Sequence, residues 1–214
     1  MSTYAQLETR TKRRLGRPGM TITTEFLDEM IAAQERLEKG PQLPKFLKKT
    51  TANESTAAGL VILTNLPPAD FIRVYDDQAL VYDDDGGQER LAIRLDTRNQ
   101  LISKKNEGIS GEIFWFLKSQ TEIEIAPAQT VARIFRLTYY AADVVLTGAN
   151  SNLWCSEEGE QIMGEAGREL SIWLRDDRAF KYYDALAAKE RGRMLRQIEA
   201  DEFGDSDLVM GDPD

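Results

Sequence analysis

Clustered carboxylates are the first residues of this sequence that could do chemistry. Five aspartates lie close together, at Asp76, Asp77, Asp83, Asp84 and Asp85. Carboxylate oxygens are the ligands that calcium and magnesium prefer, but the cluster lacks the regular loop spacing and the following glutamate of a calcium loop. Asp-Gly pairs between alternating strands usually form hairpin turns, and we interpret this stretch as a turn. A metal-dependent hydrolase built on the cluster is a third hypothesis, behind the two developed below.

Other catalytic arrangements find little support. Glu122 and Glu124 lie two apart on one face of a predicted strand, where paired carboxylates could transfer protons, but a solvated strand face is the favoured interpretation. The chain has no histidine and a single cysteine, Cys155. This composition removes Ser-His and Cys-His pairs, the commonest zinc ligand and an intrachain disulfide. The glycines form no phosphate-binding pattern. We therefore predict no enzyme, no metal and no cofactor.

Basic and aromatic residues could instead bind nucleic acid. Trp115, Trp154 and Trp173 could stack on bases, but their spacing is typical of core residues. Two basic helical segments, Lys12–Arg17 and Lys189–Arg196, support a helical nucleic-acid-binding regulator as the alternative hypothesis. Against it stand a formal net charge of −9, which opposes contact with phosphates, and the lack of a recognisable recognition helix.

Helices are predicted at the two ends of the chain. Apolar residues recur at helical spacing from Ser156 to Ile198, interrupted by the charged run Arg175–Arg178. Caps and periodicity predict four helices, at about 3–15, 23–40, 157–174 and 178–199. Asp177 suits the N-cap of the last helix, and Trp173 belongs to the apolar stripe of the third. Two such hairpins with complementary stripes would form an antiparallel four-helix bundle.

The middle of the chain has the period of strands. Strands are predicted at about 60–63, 71–75, 79–82, 90–94, 112–117, 121–125 and 131–139, with a short helix at 96–105. The run 112–117 is apolar on both faces, which is typical of a central strand covered on both sides. In the last strand, Val131 shares the inward face with Phe135. We expect an α+β fold: a helical bundle from 1–47 and 148–200, an inserted antiparallel β-sheet or sandwich at 48–147, and an acidic, flexible tail at 201–214.

Two segments are candidates for binding a partner protein. A basic group surrounds the end of the first helix: Arg10, Arg13, Arg14 and Arg17. Its charge suits a helix C-terminus, an acidic partner surface or a DNA backbone. The tail is acidic but carries apolar residues, namely Phe203, Leu208, Val209 and Met210. Ordering a dozen residues costs about 1–2 kcal/mol each, so we expect a tail that is free in the monomer and docks on a partner.

The N-terminal segment and the hydropathy bear on the compartment. No apolar run approaches the length of a membrane span, and the start has no apolar signal-peptide core. We expect the cytosol, or a particle assembled there, and no membrane partner.

Five short motifs follow one another along the chain. They are TYAQLETRTKRRLGR from Thr3, EFLDEMIAAQERLEKGPQLPKFLKKTT from Glu25, LPPADF from Leu66, FRLTYYA from Phe135 and WLRDD from Trp173. Their order and spacing resemble the head-to-tail adaptor, or connector, proteins of tailed bacteriophages, including the short-tailed-phage adaptors and the tail tubular protein A type. The resemblance covers nearly the whole chain to about Ile198. Two features depart from it. The helix motif at Ala32–Leu37 reads AAQERL, where the family has a helix of the AexRI kind. The acidic tail lies outside the family pattern.

The resemblance implies a structural virion protein. Such adaptors form a ring, commonly of twelve copies, under the portal at the capsid vertex. They join the portal to the tail or its nozzle, and the genome leaves through the ring without sequence-specific binding. The resemblance further implies a helical bundle with a β insertion, contacts with the portal and with neighbouring copies, and a place at the head–tail interface after synthesis in the bacterial host cytoplasm.

Overall fold

Helices come from both ends of the chain and strands from its middle, so the expected α+β class is confirmed. The computed structural model describes residues 2–15, 23–56, 59, 61–63, 65–84, 87–107, 111–148 and 150–205, with the backbone alone for 201–205. The helices are α1 (Tyr4–Arg14), α2 (Thr23–Glu38), α3 (Arg98–Glu107), α4 (Leu153–Glu157), α5 (Gly159–Trp173) and α6 (Asp177–Asp205). The chain divides into a helical unit, Met1–Phe46 with Asp143–Asp214, and a β unit, Leu47–Ala142.

Helix α1 begins with the capping interactions that the sequence indicates. The Thr3 hydroxyl accepts a hydrogen bond from the backbone N–H of Gln6, and the Gln6 side chain accepts one from the Thr3 N–H, at 3.3 and 3.0 Å. This reciprocal pair satisfies two donors that a helix start leaves free. Tyr4 and Leu7 are buried, and the basic residues of the last turn remain on the outside.

The third long helix begins later than predicted. Asn152 caps the short helix α4 by accepting a hydrogen bond from the backbone N–H of Cys155 at 3.0 Å. At Glu158 the backbone leaves the helical region, with φ −123° and ψ 36°, and its buried carboxylate pairs with Arg193 of α6. Helix α5 therefore starts at Gly159, two residues after the predicted start at about 157.

A charged corner joins α5 to α6. Arg175 adopts a left-handed backbone, φ 52°, while the N–H groups of Arg175 and Asp176 bond the carbonyls of Ile172 and Ser171 at 3.1 and 2.9 Å. This is the Schellman pattern that closes a helix end. The Asp176 carboxylate then accepts a hydrogen bond from the Ala179 N–H at 2.9 Å. Asp176, and not Asp177 as predicted, thus caps α6, which continues past the predicted end at 199 to Asp205.

Helices α5 and α6 lie close together because two glycines face α6. A Cβ atom on Gly164 would lie 2.9 Å from the backbone nitrogen of Ala187, and one on Gly167 would lie 2.6–2.7 Å from three ring atoms of Tyr183. Real Cβ atoms do not approach other atoms so closely, so only glycine fits at this helix spacing. Tyr183 and Ala187 are accordingly buried.

Two apolar residues at the end of α5 face solvent. The side chains of Ile172 and Trp173 are 56% and 61% exposed, although Leu170 and Ser171 before them are buried. The prediction that Trp173 belongs to the core is therefore wrong, whereas Trp115 and Trp154 are fully buried as predicted. Helical periodicity identifies the residues of the apolar stripe, but it does not show at which turn neighbouring elements stop covering that stripe.

A partly buried polar network ties α2 to the segment that begins at Asp143. The Glu38 carboxylate accepts hydrogen bonds from the Asp143 N–H and the Trp154 indole N–H, at 3.1 and 3.0 Å. The Asp143 carboxylate accepts one from the Trp154 backbone N–H at 3.0 Å. The Asn152 amide donates to the Gln34 side-chain oxygen at 2.9 Å. These bonds fix the C-terminal half of the helical unit to its N-terminal half.

The β unit contains two sheets. Its strands are β1 (Lys48–Thr50), β2 (Glu54–Ser55), β3 (Ile62–Leu63), β4 (Phe71–Val74), β5 (Leu80–Asp83), β6 (Glu89–Leu91), β7 (Ile93–Arg94), β8 (Phe114–Ser119), β9 (Glu122–Ala126) and β10 (Ile134–Ala141). In the first sheet β10 pairs with β1, β2, β4 and β5, and β5 also pairs with β6. The second sheet has the order β3-β9-β8-β7.

The predicted strand at 90–94 is divided between the two sheets. Its first part, β6, pairs with β5, and its second part, β7, pairs in parallel with β8. Between them Ala92 is buried; its N–H bonds the Leu80 carbonyl, and its carbonyl accepts from the Trp115 indole N–H at 3.2 Å. The second sheet is therefore mixed and not purely antiparallel as predicted.

Strand β8 is covered on both faces, as predicted. Trp115 packs into the main core between the sheets, while Phe114 lies in a second cluster with Leu101 of α3. Strand β10, in contrast, starts later than predicted: Phe135 is buried, but Val131 lies before the strand and is exposed. Val131 fits the alternation of apolar residues in the sequence, but its backbone does not pair with another strand.

Candidate partner-binding site

A basic cleft lies where the end of α1 meets the start of α6. Two surface cavities of about 390 and 340 Å³ share Arg14 and Tyr182 in their walls. Arg178, Asp176 and Leu15 line the first, with Ala179 and Tyr183. The second is lined by Arg10, Arg13 and Met163. We call this surface the arginine cleft.

Aromatic rings hold the cleft in shape. The Arg14 guanidinium lies 4.5 Å from the centre of the Tyr182 ring, a cation–π contact. The Tyr182 ring meets that of Tyr183 edge to face at 5.1 Å. Tyr183 is fully buried, and this burial raises the pKa of its hydroxyl to about 12. The two rings therefore form an aromatic floor beside the Arg14 guanidinium.

The positive charges of the cleft are only partly neutralised. Arg10 forms an ion pair with Glu160 of α5, and the Asp176 carboxylate caps α6. Among the described residues, no carboxylate forms an ion pair with Arg13 or Arg178, both of which are exposed. Exposed guanidinium groups beside an apolar floor suit a partner that carries both carboxylates and apolar side chains.

The structure places only part of the predicted partner-binding set. Arg10, Arg13 and Arg14 line the cleft together. Arg17, Leu208, Val209 and Met210 and the Phe203 side chain lie outside the described residues. Sequence reasoning missed Arg178 and Tyr182, which α6 brings to the end of α1. Their spacing of four residues, one helical turn, was the available signal.

The two basic segments of the nucleic-acid hypothesis carry internal ion pairs. Lys12 pairs with Glu8 at 2.7 Å. Lys189 pairs with Glu190 at 3.2 Å, and Arg193 with both Glu190 and Glu158. Within the described part of the chain, no hydrogen bond or ion pair connects one segment to the other. In Lys189–Arg196 this pairing leaves less positive charge for phosphate contacts, whereas in Lys12–Arg17 only Lys12 is paired among the described residues.

Two buried carboxylates meet at Arg193. The Arg193 guanidinium bonds the Glu190 carboxylate at 2.8 Å and also that of Glu158. The bond from Arg193 lowers the pKa of Glu190, whereas burial raises the pKa of Glu158 above its ordinary value. One guanidinium thus links both carboxylates, and we interpret these ion pairs as structural contacts that hold α6 against the start of α5.

The aspartate cluster supports the fold of the β unit. Asp84 pairs with Arg90 at 2.7 Å, and Asp77 pairs with Arg94 at 3.1 Å. Asp83 pairs with Arg136 across the sheet. Strands β5 and β6 form the predicted hairpin, and Asp85 lies outside the described residues. Nowhere in the described part of the chain do three or more cysteine, aspartate or glutamate side chains stand close enough to hold a metal ion.

The strand carboxylates that could have done acid–base work are also paired. Glu122 bonds Lys118 at 2.7 Å, and Glu124 bonds Arg98 of α3 at 3.0 Å. Ile123 and Ile125 between and beyond them are buried, as the alternation predicts.

In the described ranges, no helix is both long enough and apolar enough to cross a bilayer.

An open basic cleft and an exposed apolar helix end are surfaces that could contact another protein. A search against family models gives the family: the SU10 adaptor protein model matches residues 2–209. The chain belongs to this family of bacteriophage head-to-tail adaptors, and the resemblance found in the motifs is confirmed.

The extent of the match corrects one point of the motif comparison. The match runs to Val209, so it includes most of the acidic tail that the motif pattern left out. A search of curated proteins found no match to the chain.

Proposed function

We propose that the protein is the subunit of a head-to-tail adaptor ring that joins the portal to the tail at the virion neck. The observation that carries the proposal is the family match over residues 2–209. In this proposal about twelve copies form the ring, which binds the portal on one side and the tail or its nozzle on the other. The net charge of −9 suits a channel wall from which DNA leaves without sequence-specific binding.

The helical unit supplies the surfaces that such a ring needs. We propose that α1, α2, α5 and α6 act as an antiparallel four-helix bundle, in which α5 packs on each of the others. Ile172 and Trp173 at the end of α5 then provide apolar surface for a neighbouring copy. A ring is a closed interface between two different surfaces of each copy, so each subunit needs such unpartnered surface before assembly.

Light scattering of the purified protein, alone and mixed with the portal of the same phage, tests the proposal. We expect a small species that joins a ring on the portal. The Trp173→Ser variant should keep its fold and lose assembly, while the control Lys39→Ser, also at an exposed position, should assemble normally. A protein that ignores the portal but shifts a DNA probe at low salt would refute the adaptor proposal.

Normal assembly of the Trp173→Ser variant would refute a narrower point, the role of the end of α5. The ring itself would then have to use another surface of the subunit.

A further inference from the structure

We propose that the arginine cleft of one copy receives the Trp173 side chain, at the end of α5, of a second copy. This inference rests on the proposed function, because it requires that copies of the chain assemble with one another. The proposed function gives the end of α5 to a neighbouring copy, and the inference identifies the surface of that copy which binds it.

Trp173 is the donor side chain of this contact. Its side chain is 61% exposed and that of Ile172 before it is 56% exposed, whereas Trp115 and Trp154 are fully buried. Tryptophan carries a large apolar surface and, with tyrosine and arginine, dominates the energetics of protein interfaces. An exposed indole at a helix end is therefore a good anchor for a second copy.

The arginine cleft has the chemistry that an indole ring needs. The guanidinium groups of Arg13 and Arg178 are exposed and form no ion pair among the described residues. Guanidinium groups stack on aromatic faces, and tryptophan gives the best of these cation–π contacts. The half-buried Tyr182 ring lies in the wall of both cavities. The larger cavity, about 390 Å³, is at the lower end of the range of pockets that hold small organic molecules, about 300–1,000 Å³.

Carboxylates beside the end of α5 complement the charge of the cleft. Glu169 lies one helical turn before Trp173 and close to Glu29 of α2. Burial raises the pKa of Glu29, and the nearby charges of Glu169 and Asp28 raise it further. Positive groups from the cleft of another copy would offset this repulsion while the indole is buried.

The direction of α5 decides which copy supplies the indole. Gly164 and Gly167 face α6. Trp173 lies about two and a half turns after Gly164, so it points away from α6, whose start forms one wall of the cleft. The hydrogen bonds from the N–H groups of Arg175 and Asp176 hold the end of α5 in this position. Trp173 does not line the cleft of its own chain and must enter that of another copy.

Such a contact joins two different surfaces of identical subunits. Every copy offers one indole and one cleft, which face in different directions. Only the short corner between Trp173 and Asp177 separates the end of α5 from the start of α6, so the position of one surface relative to the other is fixed. Contacts of this kind generate rings when the rotation between neighbours closes.

Photochemical cross-linking of the full chain tests the contact. Trp173 is replaced by the photoreactive aromatic residue p-benzoylphenylalanine, unlabelled and ¹⁵N-labelled copies are mixed at high concentration and irradiated, and mass spectrometry maps the linkages. The isotope labels distinguish linkages between copies from linkages within one copy. We expect position 173 of one copy to be linked to the end of α1 or the start of α6 of another, near Leu15 and Tyr182.

Two further variants of the photoreactive chain show whether the arginines bind the ring. Arg13→Gln/Arg178→Gln should form about ten-fold less of the linkage between copies, because two cation–π contacts are lost. The control Arg191→Gln/Arg196→Gln changes the same charge on exposed positions of α6 and should be linked almost normally. Equal yields from the two variants would overturn the proposal. Linkages only within one copy, linkages to another surface of the second copy, or none between copies would also overturn it.

The same cross-linking on the portal separates this inference from the proposed function. We expect the linkage between copies to appear there as well. A ring on the portal in which position 173 is linked to the portal itself would refute the contact with the cleft and leave the adaptor proposal standing. A chain that is linked between copies as expected but does not join the portal would refute the adaptor proposal and support the contact.

Discussion

Replacing Gly167 by alanine tests the closest approach of α5 and α6. The new Cβ would lie 2.6–2.7 Å from the Cγ, Cδ1 and Cε1 atoms of the Tyr183 ring. Cγ is the ring atom nearest the backbone, so rotating the ring about its own axis does not remove the clash. Tyr183 is fully buried, and the helices must move apart or the ring must leave its site.

The expected magnitude follows from two opposing effects. Overpacking a well-packed core costs about 1–3 kcal/mol, and the buried ring places this site near the upper end. Alanine in a helix interior is favoured over glycine by about 1 kcal/mol. We therefore expect the Gly167→Ala variant to lose about 2 kcal/mol of its free energy of unfolding.

Gly192 of α6 offers a matched control. A Cβ there would meet only Arg196 Nη1, at 3.6 Å, an ordinary contact with a flexible side chain. Gly192→Ala should therefore gain up to about 1 kcal/mol, so the two variants differ by about 3 kcal/mol. Urea unfolding followed by far-ultraviolet circular dichroism measures this difference as a shift of about 1.5 M in the midpoint, for a slope of about 2 kcal/mol/M. If Gly167→Ala is as stable as Gly192→Ala, the close approach of the two helices is refuted.

Three further predictions concern the helical unit. Burial raises the pKa of Cys155 to about 11 from 9.0. Its thiol in the folded protein should therefore react with an alkylating reagent about a hundred-fold more slowly than the same thiol in protein unfolded by urea. Equal rates in the two states would contradict the burial of Cys155. The bond from Arg193 lowers the pKa of Glu190, so this carboxylate stabilises the fold above about pH 4.5 and loses this effect as the pH falls through its lowered pKa. The difference in the free energy of unfolding between wild type and Glu190→Gln should therefore narrow on acidification. A difference that stays constant with pH would contradict the stabilising role of Glu190. Arg175→Gly should stabilise the protein by about 1 kcal/mol in urea unfolding, because glycine accepts the left-handed backbone at φ 52° without strain; a destabilised variant would show that the arginine side chain matters more than its backbone.

Local patterns of the sequence predict those elements whose cause is local. The cap at Thr3 depends on residues three positions apart, and the inward alternation of Ile123 and Ile125 depends on residues two apart. Both are visible in a short window, and both are found in the structure. The hairpin between β5 and β6 likewise follows from its own turn residues.

Features that depend on distant parts of the chain could not be read in this way. The stretch 90–94 looks like one strand because only Ala92 separates its pairing with β5 from its pairing with β8. The exposure of Trp173 depends on where the cover of α5 ends. The arginine cleft was half predicted: its α1 residues stand out as a basic run, but Arg178 joins them only because α6 starts beside the end of α1.

The network around Glu38 has a consequence for how the chain is made. Glu38 and Gln34 bond partners 105 to 118 residues later, at Asp143, Asn152 and Trp154. At about 5–20 residues per second, α2 waits roughly 5–20 s for these partners to leave the ribosome. The β unit is one continuous stretch and can fold during that time. The part of α2 that packs on α5 stays uncovered until synthesis has passed α5, and this interval is when a nascent chain is most open to chaperones or to aggregation.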